Sequence, residues 1–310
     1  MVVEYLTTLL IVTVLTLITP LLDGVERKFI RAKIHSRVGP PILQTYYDLI
    51  KLFKKELLVP STATKLFLVA PVVSFTVSMV TLSLLPYFPN NPFNFEGDLI
   101  LLIYLLVSST LVLLLGGLSS GNPMAEISSS REISLILTTE LLIGLSTASI
   151  ALKYGSLSVQ NISMKLVFSP SIILAYLTLL YYAFIKSART PYDIAEAEPE
   201  IASGFMIEYS GPLLAFSILS NLIRRFLVSS LFTSIALGPL IYAFTSLVNN
   251  VVLRFTFHSL LIVTLSILTY LMLGAASAIY GRYRVVHALE SVKRYSIIPL
   301  ISLALAVVGL

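Results

Sequence analysis

The sequence predicts an all-α polytopic membrane protein. Among its 310 residues, 56% are hydrophobic and only 12% are charged, and the mean hydropathy of +0.92 lies far above that of soluble proteins. Apolar runs of about 20 residues, the length that a helix needs to cross a bilayer, recur along the chain. We therefore expect one membrane domain, residues 1–310, formed by a bundle of about eight transmembrane helices and one cytoplasmic interfacial helix.

Eight apolar runs predict the spans. They comprise residues 3–22, 67–88, 99–118, 133–152, 171–185, 209–236, 258–280 and 296–310. The first run has no basic leader and is followed by no cleavage site, so we interpret it as a retained span and not as a signal peptide. Residues 238–253 are also apolar, but Pro239, Asn249 and Asn250 interrupt them. This stretch could be a tilted continuation, a re-entrant segment or a ninth span.

The basic residues are unevenly distributed between the two sides. With eight spans, sixteen of the 21 lysines and arginines lie on one side, in residues 23–66, 119–132, 186–189 and 281–295. The positive-inside rule assigns this side to the cytoplasm. We therefore expect a multi-pass protein of the cell membrane with both termini outside. A ninth span would move the last basic segment across and weaken the asymmetry, so eight spans are preferred.

Residues 44–57 predict an amphipathic helix. Apolar side chains recur there at helical spacing, and Asp48 and three lysines lie between them. The segment is too charged to span the bilayer. It suits a position along the cytoplasmic interface, where its lysines would lie near anionic headgroups.

The stretch of residues 189–211 concentrates acidic side chains between two apolar runs. It holds five of the sixteen acids of the chain, which are Asp193, Glu196, Glu198, Glu200 and Glu208. Carboxylates crowded at a low-dielectric boundary can hold exchangeable protons near neutral pH. A solvated acidic loop that docks a basic partner is the alternative, and the two hypotheses are compatible. We also expect this stretch to pack against the helix of residues 44–57, because each segment supplies the charge that the other lacks.

Three further charges fall inside predicted spans. Glu140 lies about one third of the way into the fourth span, where an ionisable group costs about 3 kcal/mol on insertion scales, and no basic residue lies within a helical turn or two. We favour a proton or ion relay at this position. The alternative is a protonated side chain bonded to Thr138, Thr139 or a neighbouring helix. Arg224 and Arg225 are expected to extend outward to the membrane surface.

The chain lacks the residues of a redox or metal centre. It contains no cysteine, which excludes thiolate-held iron-sulfur clusters, disulfides and cysteine nucleophiles. Its three histidines, His35, His258 and His287, are far apart and form no ligand spacing. We expect no metal and no catalytic centre of its own, so any redox chemistry would belong to another subunit.

Three blocks of the sequence resemble the signature segments of one family. The blocks are GVERKFIRAKIHSRVGPPILQTYYDLIKLFKKE, GLSSGNPMAEISSSREISLILTTE and RTPYDIAEAEPEIASGFMIEYSG. They are similar to the membrane subunit shared by respiratory complex I, where it is NADH dehydrogenase subunit 1, and the energy-converting group 4 membrane-bound NiFe hydrogenases. The compact GPPILQTYYDLIKL segment and the SSSREISL segment favour the hydrogenase branch.

The resemblance implies a non-catalytic coupling subunit of a redox-driven ion-translocating complex. Such a subunit joins a peripheral arm of iron-sulfur and hydrogenase-like subunits to antiporter-like membrane subunits, and the iron-sulfur clusters and NiFe centre belong to the partners. The implied ion pathway consists of Glu140, Asp193, Glu196, Glu198, Glu200 and Glu208. The cavity beneath the terminal cluster and the partner interface would use Glu26, Arg27, Arg37, Asp48 and Arg131.

Two other functions remain open at this stage. One is the quinone-site subunit of a complex I type NADH or ferredoxin:quinone oxidoreductase. The other is a self-contained secondary ion transporter, for which broken helices in paired halves would be expected. No nucleic-acid partner is expected, and the lipid bilayer is the surrounding medium.

Overall fold

The computed structural model describes residues 2–89, 91–195, 201–248 and 250–309. Helices account for most of this part of the chain, and it contains no strand. The helices are α1 (Val2–Val25, continued by a π-helical segment over Glu26–Arg31 and by Ala32–Ile34), α2 (Gln44–Lys54), α3 (Lys65–Ser83), α4 (Asp98–Leu118), α5 (Pro123–Tyr154), α6 (Val159–Met164), α7 (Pro170–Lys186), α8 (Gly211–Ser246), α9 (Val251–Ile279), α10 (Val285–Tyr295) and α11 (Ile297–Val308). A 3₁₀-helix, Gly204–Glu208, precedes α8.

Seven segments of the described chain are long and apolar enough to cross a membrane. They are α1, α3, α4, α5, α8, α9 and the α10–α11 pair. The apolar helix α7 is shorter, with 17 residues, and takes the eighth place. The predicted all-α bundle of about eight spans with one additional amphipathic helix, α2, is therefore confirmed.

Hydrogen bonds between helix ends and connecting segments identify the two ends of the bundle. At one end, which we call the basic side, Thr64 N–H donates to Ser119 O and the Thr190 hydroxyl donates to Ser277 O at 2.7 Å. The ends of α1, α4, α7 and α9 and the beginnings of α3, α5 and α8 lie here. At the opposite end, the far side, Leu99 N–H donates to Leu157 O. The beginning of α1 and the end of α11 both lie on the far side, as expected for a chain that crosses the membrane eight times.

The ambiguous stretch 238–253 is divided between two helices. α8 continues through a π-helical segment, Thr233–Leu237, and ends at Ser246. The next helix begins at Val251, where the Asn250 side chain accepts a hydrogen bond from Val252 N–H at 3.1 Å. The described residues therefore form a continuation of the sixth span and no ninth span. At 36 residues, α8 is about 54 Å long, well above the roughly 30 Å of the hydrocarbon core.

The last span begins earlier than the predicted residue 296. Residues 285–295 were expected to belong to a charged loop, but they form α10, which leads into α11. One face of α10 is apolar, and its Ala288 and Val292 are buried in a cluster with Leu135 and Leu142 of α5. Lys293 and Arg294 lie on the exposed face. Apolar residues at helical spacing would have predicted this helix. Hydropathy did not show it, because the charged residues between them lower the average of the segment.

Small residues allow the helices to approach closely. Ser74 of α3 and Ser220 of α8 are fully buried, and their hydroxyls lie 2.6 Å apart. Ser302 of α11 donates to Ser149 of α5 at 3.0 Å. Such hydroxyl contacts and small side chains replace the hydrophobic effect as the source of helix association in lipid.

We expect Gly116→Ala in α4 to lower the stability of the purified chain by about 1–3 kcal/mol, the usual cost of overpacking. A methyl group there would overlap the Tyr209 hydroxyl and the Ala70 methyl. Gly144→Ala in α5 is the matched control, because its methyl would meet no atom within 4 Å. Thermal unfolding in detergent measures both variants, and equal melting temperatures would contradict the packing described here.

Candidate functional site

Two carboxylates of α1 are buried at the basic side. Asp23 is 3% exposed and Glu26 is 1% exposed. Asp23 Oδ2 lies 2.9 Å from Arg27 Nε and accepts a hydrogen bond from the Thr45 hydroxyl of α2 at 2.9 Å. The π-helical segment of α1 begins at Glu26, and such local widening of a helix is frequent at functional sites.

Glu26 lies at the centre of a buried ionic cluster. Its carboxylate accepts hydrogen bonds from Arg31 at 3.1 Å and from the Arg189 guanidinium. The Arg189 side chain has no exposed surface, donates to Tyr270 O at 3.1 Å and stacks 4.2 Å above the Tyr270 ring centroid. Gly274 of α9 makes room for this cluster, because a methyl group there would lie 2.6 Å from Glu26 Cδ.

The turn of residues 186–189, which we call the α7 turn, is held by Arg225 of α8. Arg225 Nε donates to Ser187 O at 3.1 Å, and a second nitrogen donates to Ala188 O at 3.4 Å. Arg225 also lies 3.7 Å from Asp23 Oδ1. One guanidinium therefore joins α8, α1 and the end of α7.

The expectation that Arg224 and Arg225 extend outward was wrong. Arg224 is 5% exposed and donates to the Asn221 side chain at 2.7 Å, and Arg225 points to the α7 turn. The reason is the length of α8. Because this helix continues to Ser246, its first turns extend along the basic side, and both arginines lie level with the ends of α1 and α7.

A cavity of about 520 Å³ opens beside this cluster. Two residues predicted from the sequence, Arg27 and Asp193, line it. Asp193 pairs with Arg282 at 2.7 Å. Among the described residues, the lining comprises Arg27, Asp193, Ala202, Ser203, Met206, Ile207, Leu214, Ile218, Asn221, Leu222, Arg225 and Arg282. The cavity therefore combines a charged rim with an apolar wall.

The other predicted cavity residues lie elsewhere. Arg37 is exposed in the loop after α1, and Arg131 is partly buried in the early part of α5. Asp48 accepts a hydrogen bond from Gln44 within α2 at 3.0 Å. Glu208 accepts one from the Asn122 side chain. The predicted residues Glu196, Glu198 and Glu200 fall outside the described part of the chain.

The end of the acidic stretch meets the segment that follows α2. Leu58 N–H donates to the Ser210 hydroxyl at 2.8 Å, and this hydroxyl donates to Leu58 O at 2.9 Å. α2 itself packs against α1 and α8. This contact joins the Leu58 backbone to the Ser210 hydroxyl, and Asp193 takes its ion-pair partner Arg282 from the loop before α10. The expected pairing of charges with α2 stays a prediction, because the central acids of the stretch fall outside the described residues.

Glu140 has a cation partner from a neighbouring helix. Its Oε1 lies 2.9 Å from Lys186 Nζ of α7 and 3.4 Å from the Tyr182 hydroxyl. The Lys186 side chain is 5% exposed. The hydroxyls of Thr138 and Thr139 donate to backbone carbonyls of α5 instead. Of the partners named in the alternative, the side chain therefore contacts the neighbouring helix and not the threonines.

A small cavity lies between the start of the acidic stretch and the helices α4, α5 and α8. Its volume of about 10 Å³ is about the minimum that one water molecule needs. Glu132, Asp193 and Arg224 line it. Asp193 borders both this cavity and the larger one, and Glu132 lies two helical turns before Glu140 on α5. Burial raises the pKa of the adjacent Tyr192 above its ordinary value.

Several residues of the site were missed by the sequence analysis. They are Asp23, Glu132, Lys186, Arg189 and Arg225. Asp23 lies one helical turn before Arg27, and this spacing in the sequence could have predicted their ion pair. Lys186 and Arg189 carried none, because their partners lie 46 and 163 residues away along the chain. The described residues contain no group of three or more histidine, aspartate or glutamate side chains placed to hold a metal ion.

The fold and the site define an integral membrane protein with ion pairs buried between its spans. The chain belongs to the NADH dehydrogenase family, whose model matches residues 6–309. The resemblance predicted from the three sequence blocks is thereby confirmed.

Three similar proteins illustrate the range of this family. Hydrogenase-4 component C of Escherichia coli (strain K12) is 38% identical over 229 residues, which are 72% of each chain. An NADH-quinone oxidoreductase subunit of Thermomicrobium roseum is 31% identical over 268 residues, 77% of this chain and 78% of that protein. A chain of the membrane-bound sulfane sulfur reductase, an archaeal respiratory membrane complex, is 26% identical, with a TM-score of 0.85 and coverage of 98% and 99%.

We expect Arg189→Met to destabilise the chain by about 3–5 kcal/mol, because it leaves the Glu26 carboxylate buried without its closest cation. Arg37→Met, at an exposed position, should change stability by less than about 0.5 kcal/mol. Thermal unfolding of the purified chain gives both values. A double variant, Glu26→Gln with Arg189→Met, should recover part of the loss, whereas strictly additive effects would argue against a direct pair.

Proposed function

We propose that this chain is the membrane coupling subunit of a redox-driven ion-translocating complex of the hydrogenase type. The observation that carries the proposal is the position of Asp193 between two cavities. The larger cavity opens at the basic side, and the smaller one reaches Glu132 and Arg224 inside the bundle. A change of charge or shape in the larger cavity can therefore act on buried ionic groups.

The α7 turn gives the coupling a second route. Arg189 binds Glu26 next to the larger cavity, and Lys186, three residues earlier, binds Glu140. A shift of this turn would change the surroundings of both carboxylates together. Buried charges in spans commonly mark ion pathways. The proposed pathway begins at the acidic stretch, with Asp193, Glu196, Glu198, Glu200 and Glu208, and continues to Glu140.

The proposed partners follow from the relatives. The identity to a hydrogenase component, 38%, exceeds the 31% to a quinone oxidoreductase subunit, which supports iron-sulfur and hydrogenase-like subunits at the basic side and antiporter-like subunits within the membrane. All cofactors would belong to those subunits. In this proposal the complex resides in the cell membrane, the basic side faces the cytoplasm, and both termini lie outside. Arg37, Asp48 and Arg131 would contact the peripheral partners.

A quinone-site subunit is the second candidate function. Its support is the larger cavity, whose 520 Å³ falls within the size range of small-molecule sites. The apolar side chains of Met206, Leu214 and Ile218 would suit a quinone tail, and the arginines of the rim would suit its polar head. Similarity to the NADH-quinone oxidoreductase relative supports this alternative.

Purification of the intact complex distinguishes these functions. We expect mass spectrometry to find a large subunit with two CxxC pairs, and metal analysis to find nickel and iron. A large subunit without these pairs, together with bound quinone, would favour the second candidate. Recovery of the chain without any redox subunit would contradict both and favour a self-contained transporter.

We expect Glu140→Gln to abolish ion pumping while the complex assembles and its redox reaction continues. Glutamine keeps the size and hydrogen-bonding capacity of the side chain but cannot release a proton. The measurement compares the redox rate with the ion gradient in proteoliposomes.

Glu126→Gln, an exposed position at the start of the same helix, is the matched control and should pump normally. Lys186→Gln removes the cation beside Glu140 and should also impair pumping, whereas combining it with Glu140→Gln should add little. Normal pumping by an assembled Glu140→Gln complex would remove Glu140 from the pathway.

A further inference from the structure

A third cavity lies on the far side, away from the site described above. Its volume is about 260 Å³, and it lies between α7, α8 and the segment of residues 166–169. Three of its lining residues, Leu166, Ile173 and Leu177, are about half exposed. The cavity therefore opens to the lipid-facing exterior of the bundle and not to its interior.

The local structure of α8 creates this recess. The helix is π-helical over Thr233–Leu237, and the small side chain of Ala236 and the ring of Pro239 form the wall. Along α7 the lining extends from Ile172 to Leu180, nine residues whose ends lie about 12 Å apart along the helix axis. The recess is long, apolar and smaller than the usual pocket for a compact ligand. Its dimensions suit a hydrocarbon chain.

The cations of the far side are concentrated beside this recess. Basic residues are scarce there, and two of them, Lys153 and Lys165, directly precede the lining residues Tyr154 and Leu166. No ion pair among the described residues includes either lysine. The nearby acid Glu96 instead accepts a hydrogen bond from the Asn161 side chain at 3.1 Å. The apolar recess thus opens next to uncompensated positive charge.

We propose that this recess is a binding site for an anionic phospholipid in the leaflet at the far side of the bundle. One hydrocarbon chain lies in the recess between α7 and α8, and Lys153 and Lys165 attract the negatively charged headgroup. Burial of methylene groups and attraction of basic side chains to anionic lipid are the two contributions that hold such ligands. This binding site is independent of the proposed coupling function.

The test uses the chain purified with its partner subunits. The delipidated complex is titrated with phosphatidylglycerol or with phosphatidylcholine of identical chains, and native mass spectrometry counts the retained lipids. We expect one tightly retained phosphatidylglycerol and no equivalent phosphatidylcholine. The Lys153→Gln and Lys165→Gln double variant should weaken retention about tenfold or more, and Lys153→Arg with Lys165→Arg should preserve it.

A second pair of variants tests the recess itself. Ala236→Phe fills the cavity and should remove the retained lipid, whereas Ala148→Phe, at an exposed position of α5 that lines a different groove, should leave it unchanged. Equal retention by wild type and Ala236→Phe, or by phosphatidylglycerol and phosphatidylcholine, would overturn the proposal.

Occupation by a helix of another subunit is the competing outcome. Because the chain contains no cysteine, Leu177→Cys introduces a unique thiol at the mouth of the recess. Crosslinking of this thiol to another subunit of the assembled complex would overturn the lipid site. Reaction with a maleimide-labelled lipid, without a protein crosslink, supports it.

Discussion

Compensation of charge in a medium of low dielectric constant is the constraint on which this structure depends. An isolated buried charge costs several kcal/mol, and a pair offsets that cost only when its geometry is good. Asp23, Glu26 and Glu140 each have a cation from another helix or from the α7 turn, which are Arg225, Arg189 and Lys186 respectively. The helices that supply these cations must therefore meet at the α7 turn, which determines how α1, α5 and α8 are arranged.

The same constraint explains features that look unrelated to charge. Gly274 leaves space for the Glu26 carboxylate against α9, and the π-helical segment of α1 starts where this carboxylate turns inward. The unusual length of α8 brings Arg225 to the level of Asp23. The local backbone conformation of three helices thus accommodates one ionic cluster, and this cluster borders the cavity of about 520 Å³.

The sequence predicted most of the helices correctly, but it did not predict which residues of different helices contact each other. Hydropathy located the spans because each apolar run reflects its own contact with lipid, and the periodicity of residues 44–57 located α2. The sequence could not reveal that Lys186 pairs with Glu140, or that Arg189 pairs with Glu26, because such pairs depend on the packing of helices that are far apart in the chain. It also misplaced Arg224 and Arg225, since hydropathy alone does not indicate where a 36-residue helix enters the membrane. Asp193 was identified from the acidic stretch and Arg27 through the family resemblance, and the structure brings both to one cavity.

The order of these charges along the chain bears on how the protein is synthesised. Glu140 precedes Lys186, Glu26 precedes Arg189 and Asp23 precedes Arg225. A carboxyl group can remain in the membrane without a partner in its protonated, neutral form, whereas an arginine cannot lose its charge. During insertion from the ribosome, each cation therefore enters a bilayer that already contains its acid. Biogenesis in the reverse order would leave a permanent charge stranded in lipid, so this arrangement favours stepwise assembly from the amino terminus.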